Sequence, residues 1–210
     1  MQVRLNNVRL AFPVLFEPKP FAGEPNSEPA YSASLLLDPA KNADAVAAVR
    51  AAMTQVAKEK WTDPAMLSSR IANIKAKDRM CLHDGDLKAQ YVGFQNMLYV
   101  SARNAQSVLV VDRDKKPLTA RSGRPYAGCF VNALVDVYAQ DNSFGFGINA
   151  SLMGIQFVAD GEAFGAGAPL DPDAFDDISD TGAGGADDGF ADLMGGGPAS
   201  KGVVEEDIAF

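Results

Sequence analysis

The chain has 210 residues, 47% hydrophobic and 22% charged, with a formal net charge of −8. That apolar content fills one core of roughly 100 to 200 residues, which excludes a chain disordered throughout. No run of about 18 apolar residues is present, so no helix spans a bilayer, and the opening MQVRLNNVRL lacks the apolar stretch of a signal peptide. The cytoplasm is the expected compartment.

In chain order, Val3 and Leu5, then Val8, Leu10 and Phe12, alternate in two runs whose phase shifts at Asn6-Asn7. A strand with a bulge accounts for both. A proline-rich loop is expected from Phe16 to Pro29. A second strand follows, with Tyr31, Ala33, Leu35 and Leu37 alternating against Ser32 and Ser34. Asp38-Pro39 reads as an N-cap with proline in the first turn. Beyond it, Val46, Val49, Met53, Val56 and Trp61 recur at helical spacing, predicting one amphipathic helix to about Trp61 and a second, short one from Pro64 to Ile74.

From Met80 onward the pattern is β. Asp84-Gly85 signals a turn, residues 97–102 and 108–111 read as strands, and Arg113 to Tyr126 forms a basic loop. Cys129, Val131, Ala133, Val135 and Val137 give the cleanest inward face. Asp141-Asn142 turns the chain into Phe144, Phe146, Ile148, Ala150 and Leu152, and Gly154 marks a further bulge before Ile155 and Phe157. The expected fold is mainly β with one or two inserted helices: an OB-fold-like Greek-key β-barrel over residues 1–164, followed by a disordered acidic tail.

The charge belongs to positions. Residues 160–210 hold 13 of the 27 acidic residues and a single lysine, a net of −12, which leaves residues 1–159 at +4. The same C-terminal stretch carries 11 of the 19 glycines. Such a segment cannot offset its ordering entropy by burying apolar surface, so 165–204 reads as a flexible linker. Residues 205–210 read as a partner-binding tip. Ile208 and Phe210 suit an apolar pocket, while Glu205, Glu206 and Asp207 suit surrounding bases.

Catalytic readings are weak, and no enzyme activity is expected. Gly145 to Ala150 matches a dinucleotide-binding glycine pattern but lies inside a β pattern, where glycines relieve crowding at a hairpin. His83 to Asp86 offers an imidazole and carboxylates, as a metal-dependent nuclease would need, yet no second carboxylate cluster completes such a site. No metal or cofactor is expected. Cys81 and Cys129 lack zinc spacing and are expected to be free, buried thiols.

Binding readings fare better, because a single strand is held by cations along its backbone and aromatic faces under its bases. The candidates are Lys75, Lys77, Arg79, Lys88, Tyr91, Phe94, Tyr99 and Arg103, together with Phe130 and Tyr138 on the less apolar face of their strand. Lys115, Lys116, Arg121, Arg124 and Tyr126 occupy a loop expected to close over the groove. The free strand edges of such a barrel also leave room for a homodimer.

Two resemblances sharpen this. The ending Glu205-Glu-Asp-Ile-Ala-Phe210 resembles the tail tip of bacterial single-stranded DNA-binding proteins, with Ala209 where those have proline. The segment GCFVNALVDVYAQDNSFGFGINASLMGIQFVADGEAF (128–164), with VRLNNVRLAFPVLFEP and YSASLLLD upstream, is similar to a phage family of single-stranded DNA-binding proteins. This resemblance implies an OB-fold core, non-sequence-specific binding of single-stranded DNA, and a role in phage replication, recombination or repair in the host cytoplasm. The tail would recruit replication or recombination proteins. The rival reading is a protein-interaction or structural phage component that does not bind DNA.

Overall fold

The computed structural model describes residues 1–21, 26–143 and 145–165. Among them, seven strands are formed: β1 (Gln2–Lys19), β2 (Ala30–Leu37), β3 (Leu82–Asp84), β4 (Leu98–Asn104), β5 (Leu109–Val111), β6 (Phe130–Asn142) and β7 (Gly145–Ala159). Helices α1 (Ala43–Lys60) and α2 (Pro64–Ala76) lie between β2 and β3 in the chain. The strands join in the order β3-β4-β2-β1-β6-β7-β5, antiparallel except for β5 on β7. The sheet closes where Met80, just before β3, bridges Ile148 of β7. There the Ile148 N–H donates to the Arg79 carbonyl at 3.0 Å, and Asn104 Nδ2 donates to the Leu152 carbonyl at 2.9 Å. The expected mainly β, OB-like barrel with two helices is present.

The bulge at Asn6-Asn7 sets the phase of β1. Leu5 pairs with Ala133 and the next partners are Val8 and Val131, with Asn7 at φ 51°. Asparagine tolerates this left-handed conformation, and the Asn7 N–H is satisfied by Asn132 Oδ1 at 3.0 Å. The skipped residue lets Val3, Leu5, Val8 and Leu10 all face the core. A second irregularity falls at Phe12, also at positive φ (47°), where pairing jumps from Ala11 to Val14.

Beyond Phe12 the strand runs on to Lys19, so the loop expected from Phe16 begins only at Pro20. Pairing there is sparse, with register partners at Val14 and Lys19 only, so the missing N–H of Pro18 interrupts no regular ladder.

The helix start also differs from expectation. The Asp38 carboxylate accepts from the N–H groups of Ala40 (2.9 Å) and Lys41 (3.3 Å), making a side-chain turn that precedes the helix. The helix itself begins at Ala43 after Asn42. Its buried face, Val46, Val49, Ala52, Val56 and Ala57, lies on the barrel. In α2, Asp63 is the N-cap, accepting from the Met66 N–H at 2.7 Å, with Pro64 in the first position, where its missing N–H costs nothing.

The barrel core follows period 2. On β6, Val131, Ala133, Val135 and Val137 are buried; on β7, Ile148, Ala150, Leu152, Ile155 and Phe157. The phase change on β7 is the expected bulge, because Leu134 pairs with Gly154 and Val135 with Leu152, leaving Met153 extra. Each fully buried Val, Leu, Ile or Phe contributes about 1.5–3 kcal/mol. Cys81 and Cys129 are free and buried, and desolvation pushes both thiols up to about 11.

On the outer face of the sheet a smaller core of Ala11, Leu36, Phe94 and Tyr99 forms where the segment after β3 packs down. Among the described residues, no helix is long and apolar enough to cross a membrane. Phe144, residues 166–204 of the expected linker and the tip at 205–210 lie outside the described residues.

Candidate nucleic-acid interface

The alternation that fills the barrel also lines a cleft on it. Along β4, Val100 and Ala102 point inward, so Ser101 and Arg103 point out. On β6 the buried Val137 leaves Tyr138 outward, 40% exposed and paired in register with Asn149. These two surfaces face one another across a cleft of about 600 Å³, completed by Glu28 before β2, Asp78 to Met80 and His83 before and within β3, and Gln140, Phe146 and Ser151 of the β6–β7 hairpin.

Hydrogen bonds hold these walls. The Arg103 guanidinium donates to the Glu28 carbonyl. Asn149 Nδ2 donates to Gln140 Oε1 at 2.8 Å, and Gln140 Nε2 to Asn142 Oδ1 at 3.0 Å. His83 Nδ1 lies 3.1 Å from an Asp78 carboxylate oxygen, and its ring stacks on Tyr99 with centroids 4.9 Å apart at 19°.

The hairpin tip is fastened from behind by the helices. Trp61, 2% exposed, donates Nε1–H to Asp141 Oδ2 at 3.0 Å. Arg70 of α2 approaches the same oxygen at 4.0 Å, and its guanidinium carbon lies 3.3 Å from the centroid of the Phe146 ring. Gly145 is favoured here by its backbone, at φ 107°, a conformation that residues with a Cβ rarely adopt. Gly145 and Gly147 lie at the start of β7, in the β6–β7 hairpin.

The cleft thus combines two arginines, two partly exposed rings, amide and hydroxyl donors, and two carboxylates, one of them engaged by His83. Its charge is balanced rather than strongly basic. Such a surface can offer guanidinium groups to phosphates and ring faces to bases.

Of the fifteen expected DNA-binding residues, three line this cleft: Arg79, Arg103 and Tyr138. Phe94 and Tyr99 are 1% and 5% exposed, so neither offers a free face to a base; the Lys88 ammonium sits 4.7 Å from the Tyr99 centroid. Tyr91 is 46% exposed but packs edge-on against Phe12 at 5.0 Å, on the smaller outer core. Phe130 lies beneath the Arg9 guanidinium at 5.6 Å. Lys75 and Lys77 end α2, and Lys75 lines a groove between helices and barrel instead of the cleft.

The basic loop does not close over the cleft, because residues 113–126 contribute nothing to its lining. The loop is held at the β5–β7 side: Arg124 pairs with Asp112 at 2.8 Å and lies 5.1 Å from the Phe157 centroid, while Lys115 shares a shallow apolar surface with Leu109 and Met153. Lys116 pairs with Asp114 at 2.7 Å and Arg121 is exposed. The Tyr126 hydroxyl lies 3.0 Å from both the Asp160 carboxylate and the Gly161 carbonyl, so this residue ties down the end of the body. In the His83–Asp86 loop, Asp84 accepts from the Asp86 N–H at 3.0 Å and Asp86 from the Asn96 N–H at 2.7 Å; both carboxylates shape the turn.

Asn149 and Gln140 are cleft residues without a sequence signal, and Phe146 and His83 line the cleft although their sequence signals pointed to the core and to a metal loop. Phe146 alternates in phase with the inward Ile148, but at the hairpin tip, where the barrel opens, that phase leads into the cleft.

A family model described as the ssDNA-binding protein of Enterobacter phage Enc34 matches residues 1–185. The chain belongs to this family. Protein p50 of Acyrthosiphon pisum secondary endosymbiont phage 1 is 44% identical over 181 residues, 85% of this chain and 95% of that protein. Among solved structures, the bacteriophage Enc34 single-stranded DNA-binding protein in complex with ssDNA aligns at a TM-score of 0.64 and 24% identity, over 78% of this chain and 89% of that one. Another structure of the Enc34 protein gives a TM-score of 0.60 at 24% identity, over 83% and 90%. At these identities the solved structures bear on the fold, and they agree with the OB-like barrel of this Enc34-family chain. The phage resemblance read from residues 128–164 is borne out by the family match.

Proposed function

We propose that this Enc34-family chain is a non-enzymatic, non-sequence-specific single-stranded DNA-binding protein, whose strand runs through the cleft between β4 and the β6–β7 hairpin. The observation that carries the reading is the convergence of Arg79, Arg103, Tyr138 and Phe146, from four segments, on one open cleft of an OB-like barrel. In that architecture, single strands lie across the face corresponding to β2 and β4, between the loops that flank it. The two arginines take phosphates. Tyr138 and Phe146 offer ring faces to bases, and Arg70 behind Phe146 backs that ring. Stacking tolerates any base, which gives binding without sequence preference. The solved structure of the Enc34 protein in complex with ssDNA supports the DNA-binding part of this reading.

The acidic segment gives the protein its second role. A −12 segment covalently joined to a +4 body is a phosphate mimic at high effective concentration, so it competes with DNA and, once displaced, recruits replication or recombination proteins through Glu205, Glu206, Asp207, Ile208 and Phe210. Deleting residues 165–210 tightens DNA binding, most at low salt. Removing Phe210 leaves DNA affinity nearly intact and abolishes capture of the partner.

The deciding experiment is fluorescence anisotropy of labelled oligo-dT at several salt concentrations. Saturable binding that weakens with salt is expected. Absence of any salt-dependent binding would leave a protein-interaction or structural component as the better account.

A further inference from the structure

A second depression adjoins the cleft at Met80 and His83 and lies between the two helices and the mouth of the barrel. It encloses about 540 Å³, within the roughly 300–1,000 Å³ of clefts that hold ligands. Its walls are apolar. Met53 comes from α1, Leu67 and Ile71 from α2, one turn apart, and Leu98 from the start of β4. All four are only partly buried, so the helices leave apolar surface uncovered.

The rim carries the opposite character. Arg50 and Lys58, two turns apart on one face of α1, and Lys75 at the end of α2 are exposed along its edge; Asp84 is the one lining carboxylate. An apolar trough with a basic rim selects a short peptide that presents apolar side chains next to acidic ones. This chain contains such a peptide. Glu205-Glu-Asp-Ile-Ala-Phe210 places three carboxylates directly before Ile208 and Phe210, and in an extended peptide those two side chains fall on the same side.

We propose that this helix–barrel groove is a receptor for the Glu205–Phe210 segment of a neighbouring copy of the chain. Ile208 and Phe210 enter the trough, while Glu205, Glu206 and Asp207 meet Arg50, Lys58 and Lys75. Every molecule carries one groove and one segment, so molecules link head to tail without another protein. The inference does not depend on the path of DNA, because groove and cleft share few lining residues and the rim lysines and arginine belong to the groove alone.

The test uses the full chain lacking Phe210, so that its own segment is weakened, titrated without DNA into a fluorescein-labelled peptide of residues 201–210. Saturable, salt-sensitive anisotropy is expected. At least tenfold weaker binding is expected for the Arg50→Glu/Lys58→Glu protein, whose substitutions are exposed and whose folding is checked by thermal melting. A peptide with Ile208→Asp and Phe210→Asp should lose binding to the same extent. Sedimentation velocity should show concentration-dependent self-association of the wild type that the Phe210 deletion and the charge-reversed variant both lack. The proposal is overturned by an absence of saturable binding, by equal binding of the charge-reversed protein, by equal binding of the doubly acidic peptide, or by peptide binding without self-association of the wild type.

Discussion

Replacing Tyr138 with alanine isolates the contribution of a ring in the cleft. The side chain stands outward on β6, 40% exposed, while its neighbour Val137 fills the core, so the truncation leaves the barrel packing intact. A base stacked on an aromatic side chain contributes about 1–3 kcal/mol. At about 1.4 kcal/mol per decade, Tyr138→Ala should weaken oligo-dT binding by about 5- to 150-fold. Tyr138→Phe should stay near wild type.

The loss has a distinguishing signature. A neutral ring releases no counterions, so the slope of log K against log salt should not change for Tyr138→Ala. Arg103→Ala, which removes a proposed phosphate contact, should make that slope shallower by about 0.7. Anisotropy at four salt concentrations reads both quantities, with thermal melting confirming that the variants fold. Tyr138→Ala at wild-type affinity, or a Tyr138→Phe variant as damaged as the alanine variant, would refute the stacking role.

Three further outcomes follow. Because the 113–126 loop lies away from the cleft, Lys116→Ala and Arg121→Ala should each change oligo-dT affinity by less than about twofold at physiological salt, where an exposed charge beyond a Debye length of about 8 Å is screened; a larger loss would put DNA on that loop. Asp141→Ala removes the acceptor of the buried Trp61 Nε1–H, which costs about 1–3 kcal/mol and should lower Tm and shift the emission of Trp61, the only tryptophan; unchanged Tm and emission would mean that the helices do not fasten the hairpin. With both thiols raised to about 11 by burial, only about one in a thousand is thiolate at pH 8, so a thiol-specific disulfide reagent should leave Cys81 and Cys129 unmodified in the native protein and modify both in guanidinium; rapid native reaction would contradict their burial.

The parts of the fold legible in the sequence were those governed by local period. Val131, Ala133, Val135 and Val137 alternate without interruption, and the structure buries all four. The asparagine pair at 6 and 7 marked its bulge because few residues accept positive φ. Phe12 adopts a similar backbone without any residue type to signal it, so the second bulge and the extension of β1 stayed hidden. Asp38-Pro39 carried a turn signal that serves a helix N-cap and a free-standing turn equally well.

The candidate site was less legible, because a cleft is a relation between distant segments. Arg79, Arg103 and Tyr138 are separated by dozens of residues and meet only through barrel closure. Phe94 and Tyr99 look like stacking residues in sequence, but the aperiodic segment after β3 folds over them, which no period announces. Clustering in sequence did not show that the Arg113 to Arg124 loop is fastened to Asp112 and Phe157, away from the cleft.

The most direct test of the central claim is photo-crosslinking of the full chain to iodouracil-substituted oligo-dT, with the adducts mapped by mass spectrometry. The account predicts adducts at Tyr138 and Phe146, with His83 as a nearby acceptor, and their loss on competition with unlabelled oligo-dT. Adducts confined to residues 113–126, or to Phe12 and Tyr91 on the outer core, would contradict it.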